Sequence, residues 1–532
     1  MMSQGDNLRQ RRRPLTVKIL SVAVLTLLAG VAFAELQQVE IGGEIMIRAR
    51  WWGRAYAGNL YGPSFSGITP GNAPGRSMGP TAISSRDNID FVEQRTRIHV
   101  KASFTDSVAS FVEFESHDQW GDSFRSDYRN GLDTSSDGLA NDDIALYQAY
   151  IEMNDVYDMP LRLRIGRQEM ELGKGWLIDD RVTTTIGLAF DEIRLTYAEG
   201  PWEIDAWYGT IGAGTIAEED DHVTFAGTYG TYKVADPLSV SAYWYWIRDG
   251  RSINDTNRLA WGEWLEDWAG VDDYDPTNFH TVGTRFFGEY GQWDYDWELA
   301  YQFGNADAAG ARFTNNPKFG LPGVYGDDDA DYGFWATDLE LGYTFESAWT
   351  PRVSLGGFYF GGEDNRGVSF LEWLNPFDRP DASIGFNQIF HGEPYLRIFR
   401  FSQESGNFWR LYADVEAKPT DAVSVRAEIH YYGIVDPVEW PHSVKLGRYR
   451  FPIAPAFSFW TEEASDDLGW AVAFGSKYKY SKDLSFDVRW EHLFQGDGLD
   501  EGSFNYPDGF FRGGGSRDDG VDYFHLRATL MF

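Results

Sequence analysis

From Ile41 onward the chain alternates apolar and polar residues in segments of roughly 9–13 residues, the length a tilted strand needs to cross a bilayer. The clearest runs from Phe91 to Phe104. Val92, Thr96, Ile98, Val100, Ala102 and Phe104 fall on one face, interrupted by Gln94, while Glu93, Arg95, Arg97, His99 and Lys101 fall on the other. Successive side chains of a strand point to opposite sides, so those five polar groups share one surface. The pattern returns in Trp409–Ala417, Val423–Tyr431 and Phe486–Trp490. A soluble sandwich also alternates, so the strands alone do not decide the architecture.

The connections decide it. About 18 candidate strands begin near residues 41, 91, 107, 143, 161, 188, 202, 222, 237, 279, 292, 333, 351, 407, 421, 468, 483 and 521. Every second connection is a tight turn rich in Asp, Gly, Pro and Ser, as in Thr105-Asp106-Ser107, Glu199-Gly200-Pro201, Ala235-Asp236-Pro237 and Ser481-Lys482-Asp483. The others are mostly long: 53–90, 118–142, 249–278, 304–332, 362–405, 433–467 and 495–520. Short–long alternation is what a barrel gives when one rim carries turns and the other carries surface loops. The pattern therefore predicts an all-β fold: a single transmembrane antiparallel β-barrel over residues 35–532 with about 18 strands, 16 being the second choice. Short turns face the periplasm and long loops the exterior.

Residues 1–34 read as a signal peptide. Arg9, Arg11, Arg12, Arg13 and Lys18 form a basic region, Ile19 to Ala29 an apolar run, and Ala32-Phe33-Ala34 a small-x-small cleavage site. That run is too short to span a bilayer comfortably, and no later segment approaches the ~20 apolar residues of a membrane helix. The last strand, Val521 to Phe532, sets Phe524, Leu526, Ala528, Leu530 and Phe532 against Tyr523, His525, Arg527 and Thr529. Its terminal Phe532 resembles the signal by which the barrel-assembly machinery recognises outer-membrane barrels, so that machinery and outer-membrane lipid are the expected partners. Aromatic residues at strand ends, such as Trp51-Trp52, Tyr243 to Trp246 and Tyr478 to Tyr480, fit interfacial girdles.

Composition narrows the function. The sequence has no cysteine, which excludes a disulfide scaffold and any thiolate metal site. Its net charge of −35 would repel a polyanion, and nucleic acid is not an expected partner. Acidic runs such as Glu218–Asp221, Asp327–Asp331 and Asp497–Glu501 read as solvated loops; they lack the EF-hand spacing, so whether they hold Ca²⁺ stays open. The nine histidines form no Ser/His/acid or metal-ligand arrangement, and His117-Asp118 and His525 read as structural or solvated. No catalytic residue, no enzyme activity and no cofactor are expected.

If the apolar face meets lipid, the polar face lines the lumen. This parity sends Arg48, Arg50, Arg95, Arg97, Lys101, Arg162, Arg164, Arg194, Arg285, Arg410, Arg426, Arg489 and Arg527 inward. With them go Glu44, Glu93, Glu113, Glu115, Glu152, Glu192, Asp296, Glu298, Asp338, Glu340, Asp414, Glu416, Glu428, Asp487 and Glu491. The early strands are richer in arginine and those near 292 and 333 in carboxylate, which sets a field across the pore. Such a lumen reads as hydrated, without apolar filling, and a barrel this wide stays open unless loops enter it. The expected activity is diffusion of anionic or sugar-like solutes past guanidinium rows, with most Arg–Glu pairs serving as structural cross-strand ladders. A structural or adhesive barrel with ligand-binding acidic loops, and less favourably a barrel enzyme, are the competing readings.

One stretch carries a resemblance. Ile165-Gly166-Arg167-Gln168-Glu169, then Gly173 and Leu177, then Phe190-Asp191-Glu192-Ile193-Arg194-Leu195 with Tyr197, resembles the alginate-export family of outer-membrane porins. The family's strand ending in Gly-Arg-Gln leads into a glycine-containing loop, followed by Phe-Asp-Gly-(apolar)-Arg-Leu; here Glu192 stands at the small position. Gln94 to Arg97 and Gln148-Ala149-Tyr150 also look like its second and fourth strands. The resemblance implies an 18-stranded, monomeric barrel that passes a polyuronate or similar chain through an arginine-rich pore. Arg167, Gln168, Asp191 and Arg194 match its motif, and Arg95 and Arg97 match more loosely. Alternation from Leu163 and Ile165 points Arg167 toward lipid, so placing it in the pore requires a bulge.

Overall fold

The computed structural model describes residues 36–53, 89–120, 144–180, 187–213, 222–250, 275–307, 329–363, 384–391, 406–436, 439–441, 443–446, 449–452, 461–463, 465–498 and 520–532. The signal segment and most of the acidic runs lie outside these residues.

In chain order the strands are β1 (Gln38–Gly53), β2 (Ile89–Thr105), β3 (Val108–Gln119), β4 (Ile144–Met153), β5 (Leu161–Gln168), β6 (Phe190–Glu199), β7 (Trp202–Ala213), β8 (His222–Ala235) and β9 (Leu238–Asp249). There follow β10 (Thr277–Tyr290), β11 (Trp293–Asn305), β12 (Asp331–Thr344), β13 (Arg352–Phe360), β14 (Phe408–Thr420) and β15 (Val423–Ile434). Four short strands, β16 (Glu439–Pro441), β17 (Ser443–Leu446), β18 (Tyr449–Pro452) and β19 (Thr461–Glu463), form two small ladders in the next connection. The chain then returns through β20 (Asp467–Lys479), β21 (Leu484–Gln495) and β22 (Val521–Met531).

Eighteen of these strands make one antiparallel sheet in which each pairs with its sequence neighbours, β15 with β20, and β22 with β1, from Glu44↔Met531 to Gly53↔Asp522. The sheet closes, so no edge is left to meet hydrocarbon. Main-chain bonds run on past the last strand: Phe532 donates its N–H to Gly43 O (3.0 Å) and accepts from Gly43 N–H (2.8 Å).

Parity sorts the side chains as the sequence predicts. Ile98, Phe114, Ile151, Ile193, Leu339, Leu355, Leu411, Phe474 and Leu526 are exposed on the outer wall. The polar interruption Gln94 is answered there by Trp120 Nε1 (3.4 Å). Exposed Trp202, Tyr290, Trp293, Trp349 and Tyr480 stand near the turn rim; Trp51, Trp244, Trp335 and Trp470 stand toward the loop rim, two girdles suited to the interfaces. Trp52, Tyr243 and Tyr245, grouped with the girdles in the sequence reading, are buried inside instead, because parity inverts at each step along a strand.

The interior departs from the expectation of an unfilled lumen. Many inward positions near the loop rim are apolar. Trp52, Phe225, Tyr245, Phe279, Phe360, Phe408, Tyr432, Leu493, Val521 and Tyr523 belong to one buried cluster with loop residues Met170, Leu172, Trp176, Leu177, Ile178, Phe386 and Ile389. Neighbours on the wall cover these side chains only sideways, as Trp52 meets Tyr523 and Phe360 meets Phe408. Folding two loop segments inward removes that surface from water.

Candidate pore and its loop insert

Toward mid-height the lumen is lined by guanidinium–carboxylate pairs. Arg48 and Arg50 both reach Glu93, the latter at 2.8 Å. Arg95 donates through Nε and Nη2 to Glu44 Oε1 (3.0 and 2.8 Å), and Arg97 through Nε to Glu115 (2.6 Å). Arg164 holds Glu152 (2.7 Å), Arg194 holds Asp205 (2.9 Å) and Arg527 holds Asp487 (2.7 Å). Arg285 pairs with Asp296, Arg352 with Asp294 and Glu340, Arg426 with Asp414 and Glu428, and Arg489 with Glu428 and Glu491. Several pairs join neighbouring strands, as the ladder reading requires.

The remaining sequence candidates stand as follows. Arg162 donates to Thr196 Oγ1 (3.4 Å). Arg410 lies over the rings of Phe358 (4.8 Å) and Tyr412 (4.4 Å). Lys101 is on the lumenal parity toward the turn rim, its register partners being Glu40 and Phe111. His117 and His525 sit among lumenal carboxylates, 3.4 Å from Glu93 and 3.2 Å from Asp487. Glu192 is buried with neither carboxylate oxygen hydrogen-bonded; glycines oppose it on both sides, Gly166 and Gly209.

Arg167 and Asp191 do not line the pore. The β5–β6 ladder runs from Leu161↔Tyr197 to Gln168↔Phe190 with no register shift, so no bulge turns Arg167 inward. The two oppose each other on the outer wall, with side chains 44% and 52% exposed, and form a two-pronged ion pair (Nε–Oδ1 2.7 Å, Nη2–Oδ2 2.8 Å). Gln168, the next residue, is fully buried inside.

The segment after β5 was the element that sequence reasoning missed. Its first residue, Glu169, accepts from Tyr147 Oη (2.5 Å) and Arg97 Nη1 (3.1 Å), while its N–H donates to Gln148 Oε1 (3.1 Å). Burial pushes the Glu169 carboxyl up to about 7. The chain then crosses the lumen in a tight loop closed by Leu172 N–H to Ile178 O (3.0 Å) and Gly175 N–H to Leu172 O (3.1 Å). Gly173 and Gly175 have φ of +66° and +73°, and a Cβ on Gly173 would lie 2.7 Å from Tyr229 Oη, so glycine is required at the tip. Trp176 stacks on Phe360 of β13 (centroids 5.5 Å apart). Ile178 bridges to Phe390 of the second inserted segment, 384–391. Gln302 of β11 clamps that segment, donating to Asn387 O and accepting from Asn387 N–H, both at 2.7 Å. The Gly173/Gly175 pair around Lys174 was the one visible hint that this loop packs closely against a wall.

A sequence profile described as alginate export matches residues 80–503. No curated protein matches the sequence. Among solved structures, Pseudomonas aeruginosa OpdO is 10% identical with a TM-score of 0.47, covering 93% of this chain and 97% of that one. Acinetobacter baumannii OccAB1 is 14% identical with a TM-score of 0.47, covering 92% and 96%. Pseudomonas aeruginosa OccK11 (OpdR) is 11% identical with a TM-score of 0.44, covering 92% and 96%. With the profile spanning most of the barrel and the strands closing into a membrane-crossing tube, this chain belongs to the alginate-export family of outer-membrane channel proteins.

Proposed function

We propose that this outer-membrane channel carries acidic saccharides, with polyuronate chains as the favoured class. The observation that carries the reading is the run of guanidinium groups Arg48, Arg50, Arg95, Arg97, Arg162, Arg164 and Arg194 on the inward parity of β1, β2, β5 and β6. A guanidinium has five N–H donors in a planar fork, so one already paired to a wall carboxylate can still donate to a passing one. The pairing holds each fork in place and limits the net field to one a polyanion can leave as well as enter.

The test is conductance of the purified barrel in planar bilayers, with uronate oligomers, neutral sugars and small carboxylates compared as blockers. Uronate oligomers are expected to lower the current most; equal block by neutral oligomers of the same length refutes the acidic-saccharide reading. The buried apolar cluster across the loop side favours a second reading, a sealed structural or adhesive barrel. A correctly folded protein that never conducts supports it.

A further inference from the structure

The loop after β5 brings one ammonium group to a wall of carboxylates. The inward parity of β11 and β12 carries Asp294, Asp296, Glu298, Asp338 and Glu340 and no basic residue. Register makes this costly: Glu298 stands directly opposite Asp338, and Asp296 opposite Glu340, and like charges face to face across a ladder destabilise it. The flanking strands answer the second pair, through Arg285 on Asp296 and Arg352 on Asp294 and Glu340. In the first pair, Asp338 is answered from across the lumen. Lys174 Nζ lies 3.3 Å from Asp338 Oδ1 and 3.5 Å from Asp296 Oδ1. Glu298, only 4% exposed, keeps its Oε2 buried without a hydrogen-bond partner beside them.

We propose that Asp296, Glu298 and Asp338 form a lumenal binding site for a primary ammonium group, and that Lys174 is its tethered occupant. The loop is shaped for this delivery. Gly173 and Gly175 flank the lysine in left-handed backbone conformations, and the absent Cβ of Gly173 lets the main chain settle against Tyr229 and Arg285. Only the lysine stem then extends from the tip into the acidic pocket. A site filled by the chain's own ammonium does not draw free cations into the lumen. Emptied of it, the same three carboxylates take an alkylammonium or the ammonium end of a solute. Occupancy by the Lys174 ammonium and binding of an external one are mutually exclusive, so such a solute removes the insert's ion-paired contact with β11 and β12 while its apolar contacts remain.

The inference rests on the channel reading only for its effect on current, and the two are tested separately. Ethylammonium is titrated calorimetrically into the full-length barrel in detergent at constant ionic strength, with the heat-modifiable gel shift confirming folding. Apparent affinity scales with the fraction of time a site is vacant, so a pocket occupied nine-tenths of the time by Lys174 weakens free ligand about tenfold. Lys174→Ala is therefore expected to bind ethylammonium about tenfold more tightly than the parent. Lys174→Arg should remain like the parent, and the triple variant K174A/E298Q/D338N should lose the gain. Equal affinity in K174A and the triple variant overturns the proposal. In bilayers, K174A should shift the reversal potential toward cations and the triple variant should reverse that shift. A barrel that binds ethylammonium as expected yet carries no current supports the site and overturns the channel reading instead.

Discussion

The insert is held mainly by apolar burial, and Trp176→Ala measures how firmly. Trp176 is 3% exposed and stacks on Phe360 with ring planes 25° apart, inside the cluster that joins both inserted segments to the wall. Truncating a buried tryptophan to alanine costs about 3–5 kcal/mol, because the transfer energy is lost and the rigid β13 wall closes only part of the cavity. The barrel ladders are untouched, so the loss falls on the docked state of the loop. At about 1.4 kcal/mol per tenfold, the undocked-to-docked ratio rises by about two to three and a half orders of magnitude. Two assays read this. Trypsin cleavage after Lys174, shielded while its ammonium is paired at the wall, should accelerate in the folded barrel. Single-channel recordings should show longer or larger open states. If W176A resists trypsin like the parent and conducts identically, with folding intact, the loop is not held by this contact and the account of the lumen is wrong.

Other perturbations separate the parts of the structure. Arg95→Glu places a third negative charge beside Glu44 and Glu93 and should shift ion selectivity toward cations, whereas Arg167→Ala on the outer wall should leave selectivity unchanged and cost under about 1 kcal/mol; a selectivity change in R167A contradicts its outward placement. Burial favours protonated Glu169 in the docked loop, with Arg97, Tyr147, Glu113 and Asp180 acting on it. Docking is therefore strongest below the ordinary value of 4.5 and weakens as pH rises through about 7. Open-state occupancy should rise across that interval in the parent and lose the dependence in E169Q. Removing Phe532 deletes two main-chain bonds to Gly43, worth about 1 kcal/mol each, and should lower the unfolding midpoint measured by gel shift; an unchanged midpoint argues that the seam is held elsewhere.

The fold was legible because hydrocarbon outside and water inside impose a two-residue period that survives in Phe91–Phe104 and Val521–Phe532, and because tight turns such as Glu199-Gly200-Pro201 alternate with long connections. Inward placement of Arg48, Arg95, Arg164 and Glu298 followed from the same period. The apolar layer was not legible. Phe225, Tyr245, Phe358 and Phe360 sit inward at strand ends, where an aromatic residue suits an interface as well as an interior. Only the tertiary position of residues 169–180 distinguishes the two. Arg167 shows the opposite error: simple alternation placed it correctly, and a family motif drew it into the pore. Lys174 could not be assigned because its partners lie on strands more than a hundred residues away.

Closure of β22 onto β1 has a consequence for biogenesis. One edge of β1 pairs with β2, but its other edge is satisfied only by β22, so a product lacking β22 presents two raw flanks that would recruit foreign strands. Closure of the sheet is thus inspected at a single joint: a nonsense or frameshift lesion between β1 and β22 yields a sheet that cannot seal, whatever proportion of its sequence is correct.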